Sequence, residues 1–186
     1  ALMAMSMAVI RVIEGESGRD IAALADAVAG HSLGEYSALA AAGAISLADA
    51  ARLLRRRGEA MQRAVAVGEG AMTALLGADL ALAEEIAAEA AGDEVCALAN
   101  DNAPGQAVLS GSKSAIERAV ALAGEKGVKK AVVLPVSAPF HCPMMAPAAE
   151  VMAEALEKVA MRPPAVPLFA NVSARAERQP DEIRRL

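Results

Sequence analysis

Apolar residues recur at helical spacing from the start of the chain. Met3, Met7 and Ile10 predict a helix over residues 1–14. Residues 15–18, bounded by Gly15 and Gly18, read as a loop, and 21–24 as a short helix. Ala27, Val28 and Ala29 form an apolar run that stops at Gly30, the pattern of a strand buried on both faces and central in a parallel sheet. A helix is predicted over 33–42, ended by Gly43. Ser46 and Asp49 then form a capping box for a helix over 47–65. Its apolar stripe is Leu47, Ala50, Leu54, Met61 and Val65, with Arg52, Arg56, Glu59 and Arg63 on the far side. Arg55 and Arg57 sit on the two borders of that stripe.

The pattern changes in the middle of the chain. Strands are predicted at 70–77, 95–99, 107–110 and 130–136, with helices at 78–91 and from Ser114 to near Gly124. Ser114 and Glu117 read as a second capping box. The order β-α-β-β-α-β is that of a ferredoxin-like unit, which places a small inserted subdomain at 69–136, flanked by a discontinuous α/β core at 1–68 and 137–186. After it come a loop at 137–143, a helix at 146–160 ended by Pro163-Pro164, a strand at 167–172, a turn region at 173–180 and the start of another helix capped by Asp181.

Composition narrows the function. Of 186 residues, 55% are hydrophobic and 22% charged, so the chain has the means to fold around a core. Only 2% are aromatic, so Ala, Val, Leu and Met must fill that core. The shortage of aromatics argues against a single-stranded nucleic-acid binder, and a net charge of −5 against a surface drawn to nucleic acid or anionic membranes. The apolar stretch at 1–10 is far too short to span a bilayer. Two cysteines, Cys96 and Cys142, fit a reducing compartment, hence the cytoplasm. Together with His31 and His141 they show no metal-ligand spacing, so no metal is expected.

The strongest chemical signal is Gly30-His31-Ser32-Leu33-Gly34. A G-x-S-x-G run between a strand and a helix is the context of a nucleophile elbow, in which a sharp turn lifts the serine out of the backbone. The amide of Leu33, at the start of the helix, can then face a developing oxyanion. A serine needs a base within reach. His31 is adjacent to Ser32, and neighbouring side chains on a tight turn diverge, so it is a poor base. That leaves His141, in the loop Ser137-Ala138-Pro139-Phe140-His141. Cys142 reads as a packed thiol. Arg57 and Arg55 are both placed to be either a snorkelling side chain or a fork for a carboxylate, and periodicity does not choose between them. Asn100, Asn102 and Gln106 fall in a predicted polar loop, 100–106, as turn formers or as cleft-lining groups.

These motifs resemble one family. Gly30-His31-Ser32-Leu33-Gly34-Glu35-Tyr36-Ser37-Ala38-Leu39, Arg57-Gly58 with Met61-Gln62, Asn100-x-Asn102-x-Pro104-Gly105-Gln106 and Pro139-Phe140-His141 stand in the order and spacing of malonyl-CoA:acyl carrier protein transacylases. The resemblance implies a hydrolase-like parallel-sheet domain with a ferredoxin-like insert. It implies that Ser32 is the acylated nucleophile, His141 its base, Leu33 an oxyanion-hole amide and Arg57 the ligand of the malonyl carboxylate. His31 would line the acyl pocket, Asn100 and Asn102 would lie near the cleft, and Phe140 matches a malonyl-selective pattern. Malonyl-CoA and an acyl carrier protein would be the partners, with no cofactor beyond the phosphopantetheine that the acceptor carries. The alternatives are an acyltransferase of polyketide synthesis and a serine thioesterase or hydrolase. A glutamine-bearing stretch that supplies a second oxyanion amide in this family, and a segment that orients its histidine, have no counterpart in the 186 residues, so a longer parent chain is expected.

Overall fold

The structure, a computed structural model, describes residues 1–186. Its elements are α1 (Leu2–Ser17), α2 (Ile21–Leu24), β1 (Val28–Ala29), α3 (Leu33–Ala41), α4 (Leu47–Ala64), β2 (Gly70–Leu76), α5 (Leu80–Ala91), β3 (Cys96–Ala103), β4 (Gln106–Ser112), α6 (Lys113–Glu125), β5 (Lys130–Val133), a 3-10 turn at Pro143–Met145, α7 (Ala146–Glu157), β6 (Leu168–Phe169), β7 (Ala176–Glu177) and α8 (Pro180–Arg185). The chain is α/β. It divides into two compact units, Ala1–Arg57 with Val151–Leu186, and Gly58–Glu150. This second unit is wider than the 69–136 segment read from the pattern. No helix is long and apolar enough to cross a membrane.

In the first unit β1 pairs in parallel with β6, Val28 opposite Leu168 and Ala29 opposite Phe169. The antiparallel strand β7 completes a sheet of order β1-β6-β7. Within residues 1–186 β1 has β6 as its one neighbour in this sheet, and Ala29 is exposed. The strand predicted at 167–172 is cut to Leu168–Phe169. The backbone turns at once, with the Ala174 N–H donating to the Ala170 carbonyl and the Ala170 N–H to the Arg175 carbonyl. Helices α3 and α4 supply Ala38, Leu39, Ala50 and Leu53 to a core shared with Met152, Ala155, Leu168 and Ile183. Ala50 of the predicted stripe is fully buried here, Leu53 beside it is buried as well, and Leu47 is exposed. The predicted cap of α4 is present, the Asp49 N–H donating to Ser46 Oγ at 3.0 Å. Helix α1 continues through the predicted 15–18 loop to Ser17 and stops where Gly18 takes a left-handed φ of 65°.

In the second unit β2 pairs antiparallel with β4 and β5, and β3 with β4, giving the order β3-β4-β2-β5. Helices α5 and α6 share one core with this sheet. It includes Leu75, Ile86, Leu109 and Ile116, all fully buried, and a set of alanines: Ala83, Ala87, Ala90, Ala119 and Ala123. The alanines explain how a chain with so few aromatics closes a core: small side chains let the helices lie close on the sheet.

Three expectations are corrected here. Asn100 and Asn102 lie on β3, not in a loop. The hairpin narrows to Pro104-Gly105, with Gly105 at φ 77°, as a type II turn requires at its second central residue. The polar run is absorbed by register shifts between Leu98 and Asn100 and between Asp101 and Ala103. The Ser114–Glu117 capping box does not form, because β4 runs straight into α6 at Lys113. The Lys113 amide goes to the Glu69 carbonyl, and the Ser114 hydroxyl donates to Glu94. Strand β5 ends at Val133 rather than 136.

Candidate active site

The elbow begins where β1 ends. Ser32 has φ 54° and ψ −110°, a backbone conformation costly for any residue with a Cβ. The turn is held by the Gly34 N–H donating to the His31 carbonyl at 2.8 Å and the Glu35 N–H to the Ser32 carbonyl at 3.1 Å. It is so tight that a Cβ on Gly30 would lie 2.0 Å from the Gly34 carbonyl carbon and 2.5 Å from the Glu35 nitrogen. Gly34 faces no such obstacle. The two glycines of the motif thus do different things: only the first is demanded by space.

Ser32 occupies the N-cap position of α3, and Leu33 is that helix's first residue. A capping serine normally folds its hydroxyl onto the helix amides. Ser32 makes no such bond. Its Oγ instead accepts a hydrogen bond from Arg57 Nη2 at 2.9 Å. Arg57 lies one turn beyond Leu53 on α4, so its side chain leaves from the buried side of the helix and is itself half-buried, whereas Arg55 is exposed. The guanidinium lies 6.0 Å from the centroid of the Tyr36 ring. A planar donor fork is therefore held beside the serine hydroxyl, with an aromatic face near it. Of the residues singled out from the sequence, the structure joins Ser32 and Arg57 directly, with Leu33 and the exposed His31 next to Ser32 in the chain.

Two further groups belong to this cluster and carried no role in the sequence reading. Asn171 Oδ1 accepts a hydrogen bond from the Ser32 backbone N–H at 2.7 Å. Burial pushes the Glu35 carboxyl above its ordinary value, while the Asn171 amide and the Arg57 charge pull it partly back. Burial likewise raises the Tyr36 hydroxyl, with the Arg57 charge opposing. Asn171 was disguised by its residue type, since asparagine after a strand reads as a turn former. The signal that finds it is the parallel pairing of β1 and β6, which sends both chains out of the sheet on the same side.

His141, Asn100 and Asn102 belong to the second unit. His141 is exposed and has φ 59°. Its loop is pinned at several points. The Pro139 ring is fully buried and sits where a Cβ on Gly70 would be, 2.3 Å from Pro139 Cγ. Gln62 Nε2 donates to Ser137 Oγ at 2.6 Å. The Cys142 thiol donates to the Pro139 carbonyl at 3.2 Å, which makes it the packed, buried thiol expected. Burial pushes the Cys96 thiol up to about 11. Asn100 is half-buried opposite Val108, and Asn102 is exposed at the second register shift of β3. No group of three or more His, Cys, Asp or Glu side chains is arranged to hold a metal ion.

The sequence profile of the acyl transferase domain family matches residues 1–184. The malonyl CoA-acyl carrier protein transacylase of Escherichia coli K12 is 46% identical over 184 residues, which is 99% of this chain and 58% of that protein. Its counterpart in Bacillus subtilis is 46% identical over 175 residues, 94% of this chain and 54% of that protein. The crystal structure of an acyl-carrier-protein-S-malonyltransferase from Bartonella henselae superposes with a TM-score of 0.95 at 56% identity, covering 99% of this chain and 58% of that one. A malonyl-transacylase in complex with a type II PKS acyl-carrier protein superposes with a TM-score of 0.94 at 40% identity, covering 100% of this chain and 59% of that one. The chain thus spans just over half the length of these relatives.

Proposed function

The chain belongs to the acyl transferase domain family, and on that premise we propose that it transfers a malonyl group from malonyl-CoA to the phosphopantetheine thiol of an acyl carrier protein in fatty acid synthesis. The observation that carries this reading is the Arg57 guanidinium 2.9 Å from Ser32 Oγ at a strained elbow. A hydrolase of neutral esters has no use for a cation fork beside its nucleophile. An enzyme whose acyl group ends in a carboxylate does.

The reaction is a two-step exchange at Ser32. His141, as base, takes the hydroxyl proton while Oγ attacks the malonyl thioester carbonyl. The Leu33 amide stabilises the tetrahedral oxyanion. The C–S bond breaks, and CoA leaves as the thiol with the proton returned by His141. The pantetheine thiol of the carrier then gives its proton to His141, attacks the seryl ester and carries malonyl away. Arg57 holds the distal carboxylate through both steps, His31 lines the acyl pocket, and Asn100 and Asn102 lie near the cleft. Acyl exchange between sulfur and oxygen involves no redox change, so the reaction calls for no cofactor. The cytoplasm, where carrier and CoA thiols stay reduced, is its proposed location.

The finer architecture belongs to the same proposal. The Gly58–Glu150 unit has a strand order and helix placement that support a ferredoxin-like insert, and the parallel β1–β6 pair ending in the elbow supports a hydrolase-like core. The similarity to a transacylase bound to a polyketide carrier favours a second reading, malonyl supply to polyketide synthesis.

Intact-mass spectrometry of the protein incubated with malonyl-CoA tests the central claim. A malonyl adduct is expected on the native protein and not on Ser32→Ala, and carrier protein should discharge it faster than water. His141→Ala should slow its formation by roughly 10²–10⁴-fold. An adduct that persists in Ser32→Ala, or one that water alone removes at the same rate, overturns the reading.

A further inference from the structure

We propose that Asn171 is a positioning residue for the Ser32 nucleophile, its side-chain oxygen holding the backbone of the elbow in the conformation that aims Oγ. The proposal rests on the reading of Ser32 as nucleophile.

Ser32 sits at φ 54° and ψ −110°. Such a conformation is strained and persists only where its surroundings fix it. The residues around Ser32 meet that requirement partly through the helix: the Gly34 and Glu35 amides bond back to the His31 and Ser32 carbonyls. The Ser32 amide points the other way, out of the turn. Asn171 Oδ1 takes it at 2.7 Å.

The topology explains why Asn171 is the residue that arrives there. β1 and β6 run parallel with Ala29 opposite Phe169. Two residues past Phe169, the chain is level with the turn that follows Ala29. Asn171 is itself fixed by the turn that follows it, closed by the Ala174–Ala170 and Ala170–Arg175 backbone bonds. Ser32 is thus tied through both of its backbone groups: its amide to the Asn171 side chain, its carbonyl to the Glu35 amide. The two bonds fix the backbone on both sides of the Ser32 Cα, and so fix where the Cβ–Oγ bond points. Arg57 at Oγ then reads that direction.

The role depends on an acceptor oxygen, which separates it from simple packing. Asn171→Leu keeps the size and removes the acceptor. Asn171→Asp keeps an oxygen at the same reach. The Asn171 side chain is exposed, so neither change opens a cavity.

The test uses the intact protein and two reagents: malonyl-CoA, which acylates Ser32, and a neutral fluorophosphonate probe, which phosphonylates activated serines with loss of fluoride and makes no call on Arg57. Asn171→Leu is expected to slow labelling of Ser32 by both reagents alike, roughly 10–10²-fold, the scale of an Å-level misplacement. The KM for malonyl-CoA should stay within about twofold. Asn171→Asp should recover most of the rate. Melting curves of each variant accompany the rates, and if Asn171→Leu does not fold, Asn171→Ala is read in its place. Labelling by Asn171→Leu within about twofold of native, or Asn171→Asp as slow as Asn171→Leu, overturns the proposal. If the native protein takes neither reagent on Ser32, the nucleophile reading fails first, and this one with it.

Discussion

Arg57 and Ser32, 25 residues apart, are joined side chain to side chain: Nη2 donates to Oγ at 2.9 Å. The guanidinium is therefore within reach of an acyl group carried on Oγ. The same contact lets a cation lower the cost of building charge on Oγ. The two effects can be separated by the choice of acyl donor. Arg57→Ala should lower kcat/KM for malonyl-CoA by roughly 10²-fold, within the range for losing one partner of a charge-assisted pair. Acetyl-CoA, which has no distal carboxylate, should change by no more than about threefold. Steady-state transfer with both donors reads the ratio. An equal fall for the two donors would assign Arg57 to the hydroxyl alone, and a switch in Arg55→Ala without one in Arg57→Ala would assign the clamp to the wrong arginine.

The two glycines of the elbow motif should respond in opposite ways. A Cβ on Gly30 would meet the Gly34 carbonyl carbon and oxygen at 2.0 and 2.1 Å, both backbone atoms at the start of α3. Gly30→Ala must displace that helix and should cost about 3 kcal/mol, the upper part of the overpacking range. A Cβ on Gly34 meets nothing within 4 Å. Gly34→Ala should hold or raise stability, since alanine favours a helix over glycine by up to about 1 kcal/mol. Urea denaturation of both variants decides it, and equal losses would contradict the steric account.

The contrast shows what the sequence could and could not convey. The strand, the turn and the helix around Ser32 follow from short-range pattern, and so does the Asp49–Ser46 cap of α4. The order of strands and helices between Gly70 and Val133 follows from alternation and turn residues. Arg57 and Arg55 are alike on a helical wheel, which locates a border but not the depth of each side chain; in the structure Leu53, outside the predicted stripe, is buried beside Ala50. The Ser114–Glu117 box was a pattern set too late in the chain: α6 already begins at Lys113, so both residues lie inside the helix and the Ser114 hydroxyl goes to Glu94. Asn171 was out of reach because its partner lies 139 residues away, and only strand pairing brings the two together.

Glu35 should make stability depend on pH in a particular direction. Burial holds its carboxyl above the ordinary 4.5, with the Asn171 N–H and the Arg57 charge offsetting only part of that rise. The folded protein thus binds this proton more tightly than the unfolded chain. The contribution of Glu35 to stability is full below the unfolded value and is lost as pH rises through the folded one. Glu35→Gln keeps an acceptor oxygen for the Asn171 amide and never ionises. Its unfolding free energy relative to native should therefore be larger at pH 7 than at pH 4. Paired denaturation curves at the two pH values measure the difference. The opposite slope would mean that the carboxylate, once ionised, is a net support of the fold.

The loop that carries His141 can be moved without touching the histidine. Gly70 opens β2, and the space its missing Cβ would fill is taken by the Pro139 ring, with Cγ, Cδ and Cβ at 2.3, 2.4 and 2.8 Å. A proline ring cannot rotate away, and this one is fully buried. The displacement would pass along a tethered segment, because the Phe140 N–H bonds to the Ala138 carbonyl, the Cys142 thiol to the Pro139 carbonyl and the Met145 N–H to the Cys142 carbonyl. His141 lies inside that segment at φ 59°, a conformation with little room to adjust. Gly70→Ala should therefore lower stability by about 1–3 kcal/mol and slow acylation of Ser32 by roughly 10–10²-fold through a misplaced base. Pro139→Ala removes the Cγ and Cδ that the new methyl would strike, so in the double variant the two changes should be less than additive in both readouts. Single-turnover acylation and denaturation on the full cycle test this. Additive losses, or a Gly70→Ala protein that acylates at the native rate, would show that the position of His141 is set by something other than the Gly70–Pro139 fit.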